Sequence, residues 1–172
     1  MAAALFLSLS GLWTVPGGPG PAPAWAQASS TTSSVETVEQ GYLAHRRGEY
    51  ETAITIYTSL LKRRGLTVKE RAVGYLLRGE AHRDKGDLEK AVLDFTRAIN
   101  QWPNYPQAFF FRGQVLARLE RLNEAYADLS RAVELDPARE SYHTNLSLLT
   151  KRMQSEGLTL EGEAPNITLP AE

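Results

Sequence analysis

Between residues 53 and 153 apolar side chains recur in steps of three and four, as Ala53, Tyr57 and Leu60, then Ala91, Phe95 and Ala98, then Ala125, Leu129 and Ala132, then Leu146, Leu149 and Met153. Steps of this size keep side chains on one face of an α-helix, whereas a strand alternates every second residue. The pattern therefore predicts an all-α fold.

The helical faces also repeat. Residues 72–105 aligned on 106–139, a shift of 34, pair Tyr75 with Phe109, Arg78 with Arg112, Gly79 with Gly113, Leu88 with Leu122 and Ala91 with Ala125. The same shift pairs Asp94 with Asp128, Arg97 with Arg131, Ala98 with Ala132 and Pro103 with Pro137. Gly41, Gly48, Tyr50, Ala53, Tyr57 and Leu60 carry the phase of Gly79, Gly86, Leu88, Ala91, Phe95 and Ala98, so residues 35–71 form a third copy. Ala53 and Ala91 are 38 apart instead of 34, which places an extra helical turn's worth of chain around Arg63 to Glu70.

Each copy has the parts of a helical hairpin. Gly41, Gly79 and Gly113 remove a side chain where Ala53, Ala91 and Ala125 are expected to approach from the second helix. Lys85, Gly86 and Asp87 supply a turn, and Pro103 or Pro137 stops the second helix. One hairpin leaves an apolar face uncovered, so hairpins must stack and the last must be capped. Residues 140–156 suit that cap, with Leu146, Leu149 and Met153 inward and Asn145, Lys151, Arg152 and Gln154 on a wettable outer face.

With Tyr75, Arg78, Gly79 and His82 in one helix, Ala91, Phe95 and Ala98 in the next, and Pro103 at its end, the chain resembles the tetratricopeptide repeat family. The resemblance runs from about Ser34 to Ser155. It implies a right-handed helical-hairpin solenoid of three repeats plus a C-terminal capping helix, with a concave groove. Gln40 and Ala44 are smaller than usual at their positions, Gly65 stands where repeat one would end in proline, and Glu120 replaces the turn glycine of repeat three.

Carried over position by position, the family's groove-lining residues are Val38, Tyr42, His45 and Arg46 in repeat one, and Leu76, Glu80, Arg83 and Asp84 in repeat two. Repeat three contributes Phe110, Gln114, Ala117 and Arg118, and the cap contributes Thr144, Leu148, Lys151 and Arg152. Apolar anchors beside arginines suit an extended or helical peptide that carries an acidic segment. The family's chaperone-tail clamp uses Lys and Asn at set positions, where this chain has Val38, Tyr42 and Leu77, so that ligand is disfavoured. The expected function is an exported adaptor or scaffold for a protein or peptide. Self-assembly through the terminal helices is the alternative, and a carbohydrate-binding or enzymatic role resting on Tyr42, Trp102 and Phe109 to Phe111 is a third reading.

Composition narrows the chemistry. A formal net charge of −1 gives no chain-wide field for nucleic acid or an anionic membrane. With no cysteine there are no disulfides, no thiolate nucleophile and no Cys-ligated zinc. His45, His82 and His143 have no metal-ligand spacing, no G-x-S-x-G elbow is present, and the glycines at 17–20 are interleaved with prolines instead of forming a phosphate loop. No enzyme, no metal and no cofactor is expected, and His82 occupies a core-facing repeat position.

The ends differ from the repeats. The first 28 residues carry no Lys, Arg, Asp or Glu and include the 14-residue apolar run Ala2 to Val15. That length is short of the roughly 20 residues a membrane-spanning helix needs and fits a signal-peptide core. Ala24-Trp25-Ala26 and Ala26-Gln27-Ala28 both have the A-x-A form of a cleavage site. We therefore expect 1–28 to be a signal peptide cleaved near Ala28, 29–34 a Ser/Thr linker, and Ser33 with Glu36 a capping box opening the first helix. Residues 157–172 read as a flexible acidic tail. The mature product would be periplasmic or secreted, with no stable membrane anchor after cleavage. Expressed with its full N-terminus in a Gram-negative host, the protein should be recovered from the periplasm beginning at Ser29; intact Met1 in the cytoplasm would reject export.

Overall fold

The computed structural model describes residues 24–158. It contains seven helices and, among the described residues, no strand: α1 (Ala24–Arg46), α2 (Tyr50–Leu61), α3 (Val68–Lys85), α4 (Leu88–Gln101), α5 (Pro106–Arg118), α6 (Leu122–Leu135) and α7 (Glu140–Ser155). α1 and α2, α3 and α4, and α5 and α6 pair as hairpins, each packs on the next, and α7 closes the stack on α6. The expected helical-hairpin solenoid of three units and a cap is the observed architecture.

Helix ends follow local chemistry. Pro106 opens α5, where its missing N–H costs no hydrogen bond. Gly86 ends α3 at φ +98°, and the Asp87 amide donates back to the His82 carbonyl at 2.8 Å. In the next hairpin Glu120 adopts φ 60° at the corresponding turn, a left-handed conformation that is uncommon outside glycine. α4 and α6 stop just before Pro103 and Pro137.

Two expectations change. α1 starts at Ala24, so Ser29 to Ser34 are helical instead of a linker, and Ser33 does not cap a helix start. No glycine or proline separates Ala24 from Gly41, and once nucleated a helix gains one hydrogen bond per residue added. The capping box lies at Thr67 instead, whose hydroxyl accepts from the Glu70 amide at 3.2 Å while the Glu70 carboxylate accepts from the Thr67 amide at 2.7 Å. The extra residues around Arg63 to Glu70 thus form a loop through Gly65 and an additional first turn of α3. The apolar run 2–15 and nearly all of the tail lie outside the described residues.

The small positions also work differently from the expectation. A Cβ on Gly79 would lie 2.7 Å from the Phe95 ring, and one on Gly41 would lie 2.5 Å from the Tyr57 ring. Gly113 does approach the Ala125 backbone, at 3.2 Å, as well as Leu129. These glycines therefore admit a large side chain from the partner helix as well as bringing backbones together, and Ala53, Ala91 and Ala125 are completely buried beside them.

Leu76 and Phe110, expected as groove anchors, belong to the core at 6% and 9% exposure. Leu76 packs with Ala91, Phe95 and Tyr105, and the Phe110 ring packs tilted against Tyr142 of the cap with ring centroids 4.6 Å apart. Burying these side chains between adjacent helices releases more apolar area than a groove edge would.

Charged groups lie inside this packing. The Arg78 guanidinium on α3 donates through Nε and Nη2 to Asp94 on α4 at 2.7 and 2.8 Å, and through Nη1 to Thr58 on α2 at 3.0 Å. Arg112 on α5 repeats this with Asp128 on α6, at 2.7 Å twice, and Thr96 on α4 at 3.0 Å. Each arginine therefore joins its own hairpin and the preceding one. Hydrogen bonding to Asp94 holds the Arg78 guanidinium above its ordinary pKa.

Removing Asp94 should leave the partly buried Arg78, and Arg97 beside it, without the carboxylate that both contact. Asp94→Ala should destabilise by roughly 3–5 kcal/mol, and Asp94→Leu combined with Arg78→Leu by clearly less than the two single changes together, as read from denaturant midpoints. Additive losses would show that the clamp does not couple the helices. Leu76→Ala and Phe110→Ala should cost roughly 2–5 and 3–5 kcal/mol of stability. Unchanged unfolding midpoints would return both residues to the groove.

Candidate functional site: a groove along the first helices

The first helix of each hairpin and the capping helix share one face of the stack, and a groove runs between α3, α5 and α7. Its cavity of about 470 Å³ is lined by Arg83, Gln114, Ala117, Arg118, Asn145, Leu148, Leu149 and Arg152, with Leu129 at the base. Six of the sequence-derived groove residues, Arg83, Gln114, Ala117, Arg118, Leu148 and Arg152, meet there.

The arginines are not equivalent. Arg83 donates to Asp84 at 2.7 and 3.2 Å, and its guanidinium lies 5.1 Å from the Phe111 ring centroid. Arg152 pairs with Glu120 and, at 2.8 Å, with Glu156, both of which hold it above its ordinary pKa. Arg118 is exposed and, among the described residues, bonds to no carboxylate. Beside it Leu148 is 61% exposed, a large apolar side chain facing solvent at the groove wall. Gln114 donates to Asn145 at 3.0 Å, joining α5 to the cap and leaving amide capacity at the floor.

Asn145, expected on the outer face of the cap, thus belongs to the groove beside Arg152, which the family's groove positions also place there. With Leu148 and Leu149 they occupy steps of three, four and seven along α7, the spacing of a single helical face. The family's groove positions name Leu148 and Arg152 of this row but skip Asn145, which the helical spacing alone places with them.

Tyr42, His45 and Arg46 lie on α1, away from this cavity, and of the three His45 reaches Asp84 of α3. His45 Nε2 is 2.9 Å from the Asp84 carboxylate, which the Arg83 fork and His45 hold below the ordinary range although burial opposes the charge. Arg46 lies 5.9 Å from the Tyr42 ring centroid. Burial pushes the Glu80 carboxyl up, against the pull of Arg83 and His45.

His82 is a packed side chain, its pKa lowered by burial, with Asp87 and Asp94 at 3.6 and 3.9 Å. Among the described residues no three His, Asp or Glu side chains gather as a metal site, and no helix is long and apolar enough to cross a membrane.

Comparison with known proteins agrees with this geometry. Human tetratricopeptide repeat protein 13 is 30% identical over 118 residues, which is 67% of this chain and 14% of that protein. Protein unc-45 homolog B of Xenopus tropicalis is 29% identical over 123 residues, 71% of this chain and 13% of that protein. This chain therefore spans only a small part of the length of these curated relatives. Among solved structures, the second TPR domain of human RPAP3 in complex with the HSP70 peptide SGPTIEEVD is 28% identical, covers 70% of this chain and 97% of that one, and superposes with a TM-score of 0.62. The Arabidopsis OM64 TPR domain is 26% identical over 70% of this chain and 96% of that one, again with a TM-score of 0.62. The tetratricopeptide repeat family model matches residues 38–106 and again 76–140. Three glycine-notched hairpins, a capping helix and matches across most of them lead to one assignment: this chain belongs to the tetratricopeptide repeat family.

Proposed function

We propose that this chain is an exported adaptor that holds a peptide segment of a partner protein in the groove between α3, α5 and α7. The observation that carries this reading is the about 470 Å³ cavity in which the unpaired Arg118 stands beside the exposed Leu148. An acidic side chain or carboxyl terminus pairs with Arg118 without displacing an existing partner, whereas the charges of Arg83 and Arg152 are already compensated by Asp84 and by Glu120 and Glu156. An apolar side chain of the same segment covers Leu148 and Ala117, and the Gln114–Asn145 amides meet its backbone. The peptide held by the RPAP3 domain is itself rich in acidic residues toward its end, which supports an acidic ligand. The chaperone-tail clamp is a different arrangement, because its Lys and Asn positions hold Val38, Tyr42 and Leu77.

End-to-end assembly receives less support, since Glu140, Ser141, Thr144, Ser147 and Lys151 give the cap a polar exposed surface. Enzymatic chemistry is not part of the proposal.

An array of synthetic dodecapeptides, each with a leucine or phenylalanine anchor and with or without glutamate, provides the test by fluorescence anisotropy. Glutamate-containing peptides should bind better, and Arg118→Glu should weaken them roughly tenfold at low salt and less at high salt. Leu148→Ala should weaken binding at every salt concentration, while Glu89→Lys on the exposed outer side of α4 should change little. Equal losses from groove and outer-surface substitutions, or no binding, would reject the reading.

A further inference from the structure

The groove opens beside the point where the chain leaves its last helix. Arg152, in the final turn of α7, donates to the Ala117 carbonyl at 3.4 Å and to Glu120, so the C-terminal ends of α5 and α7 lie side by side. Arg118 is the last residue of α5, next to that carbonyl, and Leu148 is one turn back along α7 from Arg152. At Gly157, φ +68°, the Leu158 amide donates back to the Met153 carbonyl at 2.9 Å, which turns the chain off the helix axis. The residues that follow, 159–172, lie outside the described part of the chain. Their sequence carries Glu161, Glu163 and Glu172 among Leu160, Ile167 and Leu169, with no Lys, Arg or His. Those are the groups that the groove can take: a carboxylate for the unpaired Arg118 and an aliphatic side chain for the exposed Leu148 and for Ala117.

We propose that the chain's own segment 159–172 occupies the groove between α3, α5 and α7, with Glu161 or Glu163 on Arg118 and Leu160 on Leu148, and that a partner peptide binds by displacing it. The proposal rests on the peptide-binding reading above and deepens it by naming the ligand that holds the groove when no partner is bound. Reach is sufficient: Glu161 and Glu163 stand four and six residues beyond Gly157, an extended span of roughly 13–20 Å, and α7 itself forms one wall of the groove. Glu120 and Glu156, the carboxylates that would repel such a segment, are already held by Arg152. A segment tethered this closely meets its site at an effective concentration on the order of millimolar, so one exposed ion pair and one apolar contact are enough to populate the closed state. The same weakness leaves it displaceable by a partner that makes more contacts.

The test uses the full chain carrying Ala164→Cys, which in a protein without cysteine gives a single site for a nitroxide label. Amide NMR signals of Ala117, Arg118 and Leu148 should broaden in the labelled chain and sharpen when the nitroxide is reduced. Arg118→Glu should abolish the broadening, as should Glu161→Gln combined with Glu163→Gln, whereas Glu89→Lys should leave it. When the nitroxide is on one copy and the NMR-visible isotope on another, the same signals should stay sharp; broadening there would put the segment in a second copy and overturn the proposal. By fluorescence anisotropy the double glutamine variant should bind the glutamate-containing dodecapeptides about fivefold more tightly than the wild-type chain, because its groove is free. Sharp signals in the labelled chain, or broadening that survives either set of substitutions, overturns the proposal. If the signals broaden as expected but no dodecapeptide binds even the double glutamine variant, the partner-peptide reading falls and the self-occupied groove stands. If the signals stay sharp and peptides bind wild type and variant equally, the self-occupied groove is rejected and the partner-peptide reading stands.

Discussion

The stack depends on a partly buried guanidinium that joins a buried carboxylate to a third helix. Arg78 fixes α3 against Asp94 of α4 and against Thr58 of α2, and Arg112 does the same for α5, α6 and α4. Asp94 and Asp128 are almost wholly buried, so neither carboxylate gains hydration in exchange for its partner. A bidentate fork has one good orientation, and two forks in register set the rotation of each hairpin on the one before. Apolar packing alone tolerates small slips, whereas these clamps do not.

The clamps also mark where the series begins and ends. In the first hairpin the corresponding positions are Gln40 and Ile56, and in the cap Leu146 stands where the next arginine would be. Ser130, the next residue in the Thr58 and Thr96 series, is buried with an unpartnered hydroxyl. α7 is instead held by Phe110 against Tyr142, by the Gln114–Asn145 bond and by the pairing of Arg152 with Glu120. Some of the contacts that seat the cap therefore also line the groove, so cap position and groove shape are mechanically the same variable.

Using Phe110 and Leu76 to bind hairpins together leaves the groove with fewer apolar anchors than position-by-position transfer implied. What it keeps is polar capacity arranged unevenly: an unpaired Arg118 between α5 and α7, beside an Arg83 that is paired with Asp84 and an Arg152 that is paired with Glu120 and Glu156.

Much of the fold was legible along the chain. The 34-residue spacing of Gly79 and Gly113, Ala91 and Ala125, and Pro103 and Pro137 determined three hairpins and their phase, since periodicity and turn chemistry act over one or two helical turns. Family membership follows from the same residues. The matching of Arg78 with Arg112 and of Asp94 with Asp128 was visible too, but that they grip each other is a relation between different helices. Tertiary structure alone decided that Leu76 and Phe110 point into the core, that Asn145 turns to the groove, and that Arg118 is unpaired where Arg83 and Arg152 are not. The physical reason is common to all three: helical phase selects a face, but burial and charge pairing depend on the distance to whatever the next hairpin brings against that face.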